Sequence, residues 1–251
     1  MAETGFKDHF SGASTAYQRN RPGYPESLFQ FLAAHAPGRQ RAWDCATGTG
    51  QAAQLLARYF EQVIATDGSA TQIASAVPLA NIDYRVATAE ASGIESGSLD
   101  LVTVAQALHW FDIPAFFTEA RRVLKPRGLI AIWSYNLLTI EPAIDAVVNH
   151  LYGTVLDNYW PPERKLVEND YRGIAFPFQP LATPAFVMAT HWTLDQLLGY
   201  LGTWSAVRRY QQLHGSDPLM ATAEALLSVW GARDTVRTIH WPMPVRVGVN
   251  E

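Results

Sequence analysis

Two carboxylates stand where two short apolar runs end. Asp44 closes "RAWDCA" and opens the turn Asp44-Cys45-Ala46-Thr47-Gly48-Thr49-Gly50, after which "GQAAQLLARYF" reads as a helix. Asp67 closes a second run, "QVIATDGS". Glycine in a strand-to-helix turn lets the backbone approach a ligand closely, and the amides that open the helix point at that ligand. An acidic residue at the end of the next strand can accept both hydrogen bonds of a ribose diol. The dinucleotide form of such a turn is G-x-G-x-x-G. Here a carboxylate begins the turn, and Ala53 stands where the third glycine would be. A buried or nearly buried carboxylate in that place suits a cationic ligand better than a pyrophosphate. The plainer readings are a turn cap for Asp44 and simple turn chemistry for Asp67 in "DGS".

Further along, His109 lies in "AQALHWFD". A histidine titrating near neutral pH can take a proton from a hydroxyl nucleophile. It can equally be a packed residue that fixes its loop. Near the start, Tyr17, Arg19 and Arg21 in "YQRNRPGYP" make a segment able to fold over a ligand, with Arg21 free to pair with a carboxylate or to stay solvated. The second half is rich in aromatic residues, among them Tyr152, Trp160, Trp192, Trp204 and Tyr210. Most such rings belong to a core, and some would line an apolar pocket. Arg208 and Arg209 add a second pair of cations.

Positioning these groups requires regular elements. "YPESLFQFLAAHAP" carries apolar residues at helical spacing, and "IPAFFTEARRVLK" reads as an amphipathic helix closed by "PRG". "IDYRVATAE", "LDLVTVAQAL" and "GLIAIWSY" are a third, fourth and fifth strand. Apolar strands alternating with helices imply an α/β fold, a doubly wound parallel sheet covered on both faces. The rest changes character. "IEPAIDAVVNHLYGTVLDNYW" is helical, the following proline-rich stretch is loop, "AFVMATHWT" is a candidate strand, and two further helical segments precede "VRTIHWPMPVRVGV", a bent strand or strand pair.

The 251 residues suit one large domain with a modest cap, and 48% hydrophobic against 17% charged residues allow a sizeable core. A net charge of -4 argues against a nucleic-acid partner. The single cysteine, Cys45, excludes an intrachain disulfide and leaves no basis for a cysteine zinc site. The opening "MAETGFKDHFSG" lacks an apolar signal core, and no apolar run reaches the roughly 18 residues of a membrane span, so the expectation is a soluble, cytoplasmic protein.

Taken together, "DCATGTG", "VIATDGS", "RVATAEA", "LDLVTVAQALHWFD" and "RRVLKPRGLIAIWSY" resemble the successive strand ends of class I S-adenosylmethionine-dependent methyltransferases. "YQRNRPGYP", "ALHWFD" and "GYLGTWSAVRRY" are similar to the trans-aconitate methyltransferase-like subgroup. The resemblance implies a Rossmann-like fold with a seven-stranded, mostly parallel sheet. Its last strand comes from about 238–249 and runs antiparallel, and 141–180 is an inserted helical cap. It implies S-adenosyl-L-methionine as cofactor. Asp44, Ala46, Gly48 and Gly50 would line the methionine end, Asp67 the ribose with Gly68 and Ser69 flanking, Ala89 and Glu90 the adenine, and Gln106 and Ala107 the floor, with Tyr17 and Arg21 above. The family often has Gly at Ala46 and Asp at Thr88. His109 is the catalytic candidate, and Arg19, Tyr135, Trp204 and Arg208 are candidates on the side of a small-molecule acceptor. Methyl transfer to a hydroxyl needs a base, whereas transfer to a carboxylate needs arginine clamps instead. The alternatives are a nicotinamide-dependent oxidoreductase on a related fold, and a binding protein with a degenerate site.

Overall fold

The computed structural model describes residues 22–251. Tyr17, Arg19 and Arg21 lie outside the described residues. Seven strands form one sheet in the order β3-β2-β1-β4-β5-β9-β6. The parallel part comprises β1 (Arg41–Cys45), β2 (Gln62–Asp67), β3 (Ile82–Val86), β4 (Leu99–Ala105) and β5 (Leu124–Trp133). β9 (Val245–Val249) runs antiparallel to β5, and the short β6 (Gln179–Leu181) pairs antiparallel with the far side of β9. Sequence order reverses between β1 and β4, and in open α/β sheets ligands bind beyond the carboxyl ends of the strands at such a switch.

α1 (Glu26–His35) precedes β1, and α2 (Gln51–Leu56) and α3 (Ala70–Ala74) follow β1 and β2. Alternation along the strands assigns the two faces. Ala42, Val63, Leu101 and Leu129 belong to one buried cluster, with Leu28, Phe29 and Leu32 of α1. Their chain neighbours Trp43, Ile64, Val102 and Ile130 belong to a second cluster, with Phe116, Phe117 and Ala120 of α4 (Ile113–Val123). Period-two alternation buried on both faces explains why these strands read as nearly continuous apolar runs. Asp112 caps α4 by accepting from Ala115 N, and Pro114 sits in its first turn.

Two boundaries differ from the sequence reading. The helix expected to run to Lys125 stops at Val123, because Leu124 already pairs with Leu99 and Lys125 reaches the buried Asp100. The single last strand of about 238–249 that the resemblance implies is two strands, the division that the strand-pair reading of "VRTIHWPMPVRVGV" allows. Pro244 separates β8 (Arg237–Met243) from β9, and β8 pairs with β7 (Phe186–Trp192) in a separate two-stranded sheet. Only β9 joins the large sheet.

Segment 141–180 holds α5 (Pro142–His150), a π turn (Leu151–Val155) and α6 (Arg164–Glu168), and its end contributes β6 to the sheet edge. α7 (Leu194–Gly202), α8 (Ser205–His214) and α9 (Leu219–Trp230) follow β7, and α5 packs on α9. From β9, Arg246 Nη1 donates to Tyr171 O (2.8 Å) and Ile174 O (3.1 Å), and its guanidinium stacks 4.6 Å from the Phe176 ring centroid.

At the opposite end of the sheet Asp100, 1% exposed, accepts from Gln40 N, Arg41 N and Lys125 Nζ at 2.9, 3.0 and 2.7 Å, joining β1, β4 and β5. Asp100→Ala strands two backbone amides and a partly buried ammonium. It should cost on the order of 2–4 kcal/mol, read as a lowered urea midpoint at unchanged slope.

Candidate active site at the carboxyl ends of the strands

Asp44 is the innermost group of the site. It lies in register with Thr103 of β4 and is fully buried. Thr103 Oγ1 donates to its Oδ1 (2.9 Å) and Thr47 Oγ1 to its Oδ2 (2.6 Å). Burial outweighs these bonds and pushes its carboxyl up to about 6. The turn it opens is bound across to β2, since Thr47 N donates to Thr66 O (2.8 Å) and Gly48 N to Asp67 Oδ2 (2.9 Å). Asp67 Oδ1 also accepts from Ser69 N (2.8 Å). The two acidic residues, far apart in sequence, therefore clasp one glycine turn from either side.

The backbone accounts for the residue types. Gly48 and Gly50 have φ of 57° and 88°. Among the described residues, a Cβ on Gly48 would meet nothing nearer than Gln72 Oε1 at 4.0 Å, so its missing side chain leaves room above the turn. A Cβ on Gly50 would lie 2.2 Å from Tyr84 Oη. Ala46 is also left-handed, with φ 54°, which accounts for the glycine often found there in the resembling family. Gln51 Nε2 donates to Pro22 O, so the chain enters the described region beside this turn.

At the ends of β4 and β5, Gln106 is left-handed (φ 59°) and its amide bridges the strands, donating to Tyr135 O (2.7 Å) and accepting from Tyr135 N (3.1 Å). Ala89, Ala107 and Cys45 are buried in one apolar cluster with Ala46 packed against it. Glu90 accepts from Asp112 N (3.0 Å), and Thr88 is exposed. The donor set fits S-adenosylmethionine: room over Gly48, a buried carboxylate with raised pKa to meet an ammonium, and a strand-end carboxylate to meet a diol.

His109 sits in the short helical turn Leu108–Trp110 after β4. Its Nδ1 is 2.9 Å from Tyr171 Oη, and burial, aided by the nearby Arg164 charge, pulls its pKa down to about 3. It is neutral at physiological pH rather than titrating near neutrality. Burial in turn pushes the Tyr171 phenol far up. Tyr171 reaches this position through two successive left-handed residues, Asp170 (φ 52°) and Tyr171 (φ 55°), after α6. Tyr135 is buried behind Gln106, and Trp204 packs with Tyr152, Trp160 and Tyr200. Arg208 follows Trp204 by one helical turn on α8. Arg164, Tyr171 and Asn136 are site neighbours that the sequence reading misses. No group of metal-ligating residues occurs among the described residues, and no helix there is long and apolar enough to cross a membrane.

Comparison with known proteins agrees with this geometry. The family described as methyltransferase domain matches residues 43–132. A protein of Dictyostelium discoideum named as a methyltransferase is 36% identical over 235 residues, 92% of this chain and 89% of that protein. A solved structure from Anaeromyxobacter dehalogenans, titled a type II methyltransferase, superposes with TM-score 0.87 at 43% identity, covering 91% of this chain and 97% of that one. A Saccharomyces cerevisiae protein named as an S-adenosylmethionine-dependent methyltransferase is 30% identical over 131 residues, 49% of this chain and 45% of that protein. The chain belongs to the class I S-adenosylmethionine-dependent methyltransferases, and its cofactor is S-adenosylmethionine. The nicotinamide alternative is thereby set aside.

Gly50→Ala should destabilise the protein by about 1–3 kcal/mol, from left-handed strain and the collision with Tyr84. Ala46→Gly should stay within about 1 kcal/mol of wild type, since relieved strain offsets added unfolded-state freedom. Urea unfolding of the two variants checks both.

Proposed function

We propose that this methyltransferase methylates an oxygen of a small acidic or amphipathic molecule, a carboxylate or a hydroxyl, with the carboxylate favoured. The observation that carries the preference is His109. Among the described residues it is the only histidine at the carboxyl ends of the parallel strands, it is half-buried against Tyr171, and its pKa of about 3 makes it a weak base. A hydroxyl must lose a proton during transfer, whereas a carboxylate at neutral pH has none to lose. When bound, S-adenosylmethionine supplies an electrophilic methyl group on a sulfonium that departs as a neutral thioether. The chain's own task is then alignment and exclusion of water. Asp44 faces the ammonium of the methionine portion, and Asp67 faces the ribose. Segment 141–180 serves as the cover, a role supported by the contacts of Arg164 with Asn136 and of Tyr171 with His109.

The trans-aconitate-like subgroup remains our reading of "YQRNRPGYP", "ALHWFD" and "GYLGTWSAVRRY". A small molecule rather than a nucleic acid is supported by the net charge of -4. A cytoplasmic location is part of the same proposal.

A screen with methyl-labelled cofactor tests the function. Label should pass to carboxylic acids in preference to phenols, and at saturating cofactor kcat should show no ionisation attributable to His109 between pH 6 and 8. Label passing only to phenols would overturn the preference, and transfer to no acceptor would favour a binding protein.

Asp44 adds a pH dependence with a definite sign. Its folded pKa, about 6, lies above the ordinary carboxylate value, so this group favours the ligand-free fold at low pH and that contribution is lost as pH rises through 6. An ammonium partner requires the ionised form. Adenosylhomocysteine affinity should therefore weaken as pH falls through 6, approaching tenfold per unit below it. Asp44→Asn should bind weakly at every pH and show a flatter profile by calorimetry.

A further inference from the structure

The cover carries a cation to the strand ends. Arg164 opens α6, is half-buried, and donates from Nε to Tyr152 Oη (3.0 Å) and from Nη2 to Asn136 Oδ1 (2.9 Å). Its guanidinium lies 5.5 Å from the Tyr152 ring centroid and 5.1 Å from that of Trp160. Trp204 meets Tyr152 edge-on at 5.8 Å and lies 5.5 Å from Trp160. Tyr152 itself sits in the π turn that continues α5, an irregularity frequent at functional sites. Asn136 follows β5 and His109 follows β4, and Arg164 is close enough to act electrostatically on His109 and Tyr171. The guanidinium is thus at the mouth of the strand-end crevice.

Its partners are incomplete. Among the described residues no carboxylate lies within ion-pair distance of Arg164. Glu168, one turn on along α6, accepts from the Tyr152 hydroxyl instead. Arginine offers five N–H donors in a planar fork, and only Nε and Nη2 are engaged here by described residues. A guanidinium partly withdrawn from water and met, among the described residues, by neutral oxygens favours an anion beside it. Arg164 is not needed to pin the cover to the sheet, because Arg246 already does so through Tyr171 O and Ile174 O.

We infer that Arg164 binds a carboxylate of the methyl acceptor, and that the acceptor's apolar body lies on the rings of Tyr152, Trp160 and Trp204. The inference rests on the acidic-acceptor reading above and names the residue that selects the acid. It commits to an organic acid with an apolar body, for a bare polar dianion would leave those rings uncovered.

Binding, rather than turnover, gives the test. The protein is loaded with adenosylhomocysteine and titrated by calorimetry with 3-phenylpropionate, octanoate and their neutral amides. At least one of the acids should bind tenfold or more tighter than its amide. Arg164→Gln should erase that difference, and Arg164→Lys should restore only part of it, because an ammonium lacks the planar fork. Adenosylhomocysteine affinity should be unchanged in both variants. Equal binding of acid and amide in every pair, or an acid preference that survives Arg164→Gln, overturns the inference. The acid–amide comparison uses wild-type protein and Arg164→Lys keeps the charge, so the two together decide the matter even where the Gln variant fails to fold. Adenosylhomocysteine bound with no acid preference sinks the role of Arg164 alone. Label transferred to the hydroxyl of 4-hydroxyphenylpropionate, with Arg164 dependence intact, would instead sink the preference for a reacting carboxylate.

Discussion

A carboxylate sealed from water at the point where the strand order reverses governs this site. Asp44 sits between β1 and β4 with one threonine hydroxyl on each oxygen, Thr103 from the neighbouring strand and Thr47 from its own turn. The second bond shapes the turn, because Thr47 must lie over Asp44 for its hydroxyl to reach, and in that position its amide meets Thr66 O on β2. Gly48 then comes within reach of Asp67, which completes the clasp. A buried ionisable group held by neutral partners is costly to keep charged, and the raised pKa expresses that cost. A cationic ligand group relieves it. With the cofactor's ammonium placed at Asp44 as proposed, the arrangement that raises this pKa would favour binding of that charged end.

The Arg164 side of the site follows a different electrostatic rule. Arg164 and Arg246 are both partly buried, and both are met by neutral oxygens: phenol and amide for one, backbone carbonyls for the other. Arg246 spends its charge on architecture, since its two carbonyl acceptors and the Phe176 ring fix the chain between α6 and β6. Arg164 keeps donors to spare beside aromatic walls. His109 lies within the influence of Arg164 and is held neutral, so the described part of the site has an acidic end at Asp44 and a cationic end at Arg164. On the proposed function, such a polarity would orient an amphipathic acid and the methyl donor.

The parts of this arrangement differ in how far residue patterns reveal them. β1, β2 and β4 are legible because strands buried on both faces must be apolar throughout, and the glycine turn is legible because left-handed backbone restricts residue type. Ala46 meets the same left-handed requirement with a methyl group, so its place in the turn is legible only from its neighbours. Arg164 and Tyr171 leave no comparable mark. α6 spans only Arg164–Glu168, too short for a periodicity, and Tyr171 meets His109 through tertiary folding alone. The helix boundary at Val123 and the break at Pro244 are decided by pairing with Leu99 and by the division of β8 from β9 between two sheets, neither of which is a local property.

The antiparallel β9 thereby has a part beyond completing the sheet. Parallel strands deliver their carboxyl ends to the crevice, but a strand of opposite sense delivers its amino end there, and β9 begins at Val245 opposite Trp133, the last residue of β5. Arg246, its second residue, is consequently at crevice level and reaches Tyr171 O, which fixes the residue whose hydroxyl holds His109. A parallel strand in the same place would carry its second residue to the far end of the sheet, near Asp100, with nothing of the cover in reach. Reversal of this one strand couples the sheet edge to His109 through Tyr171.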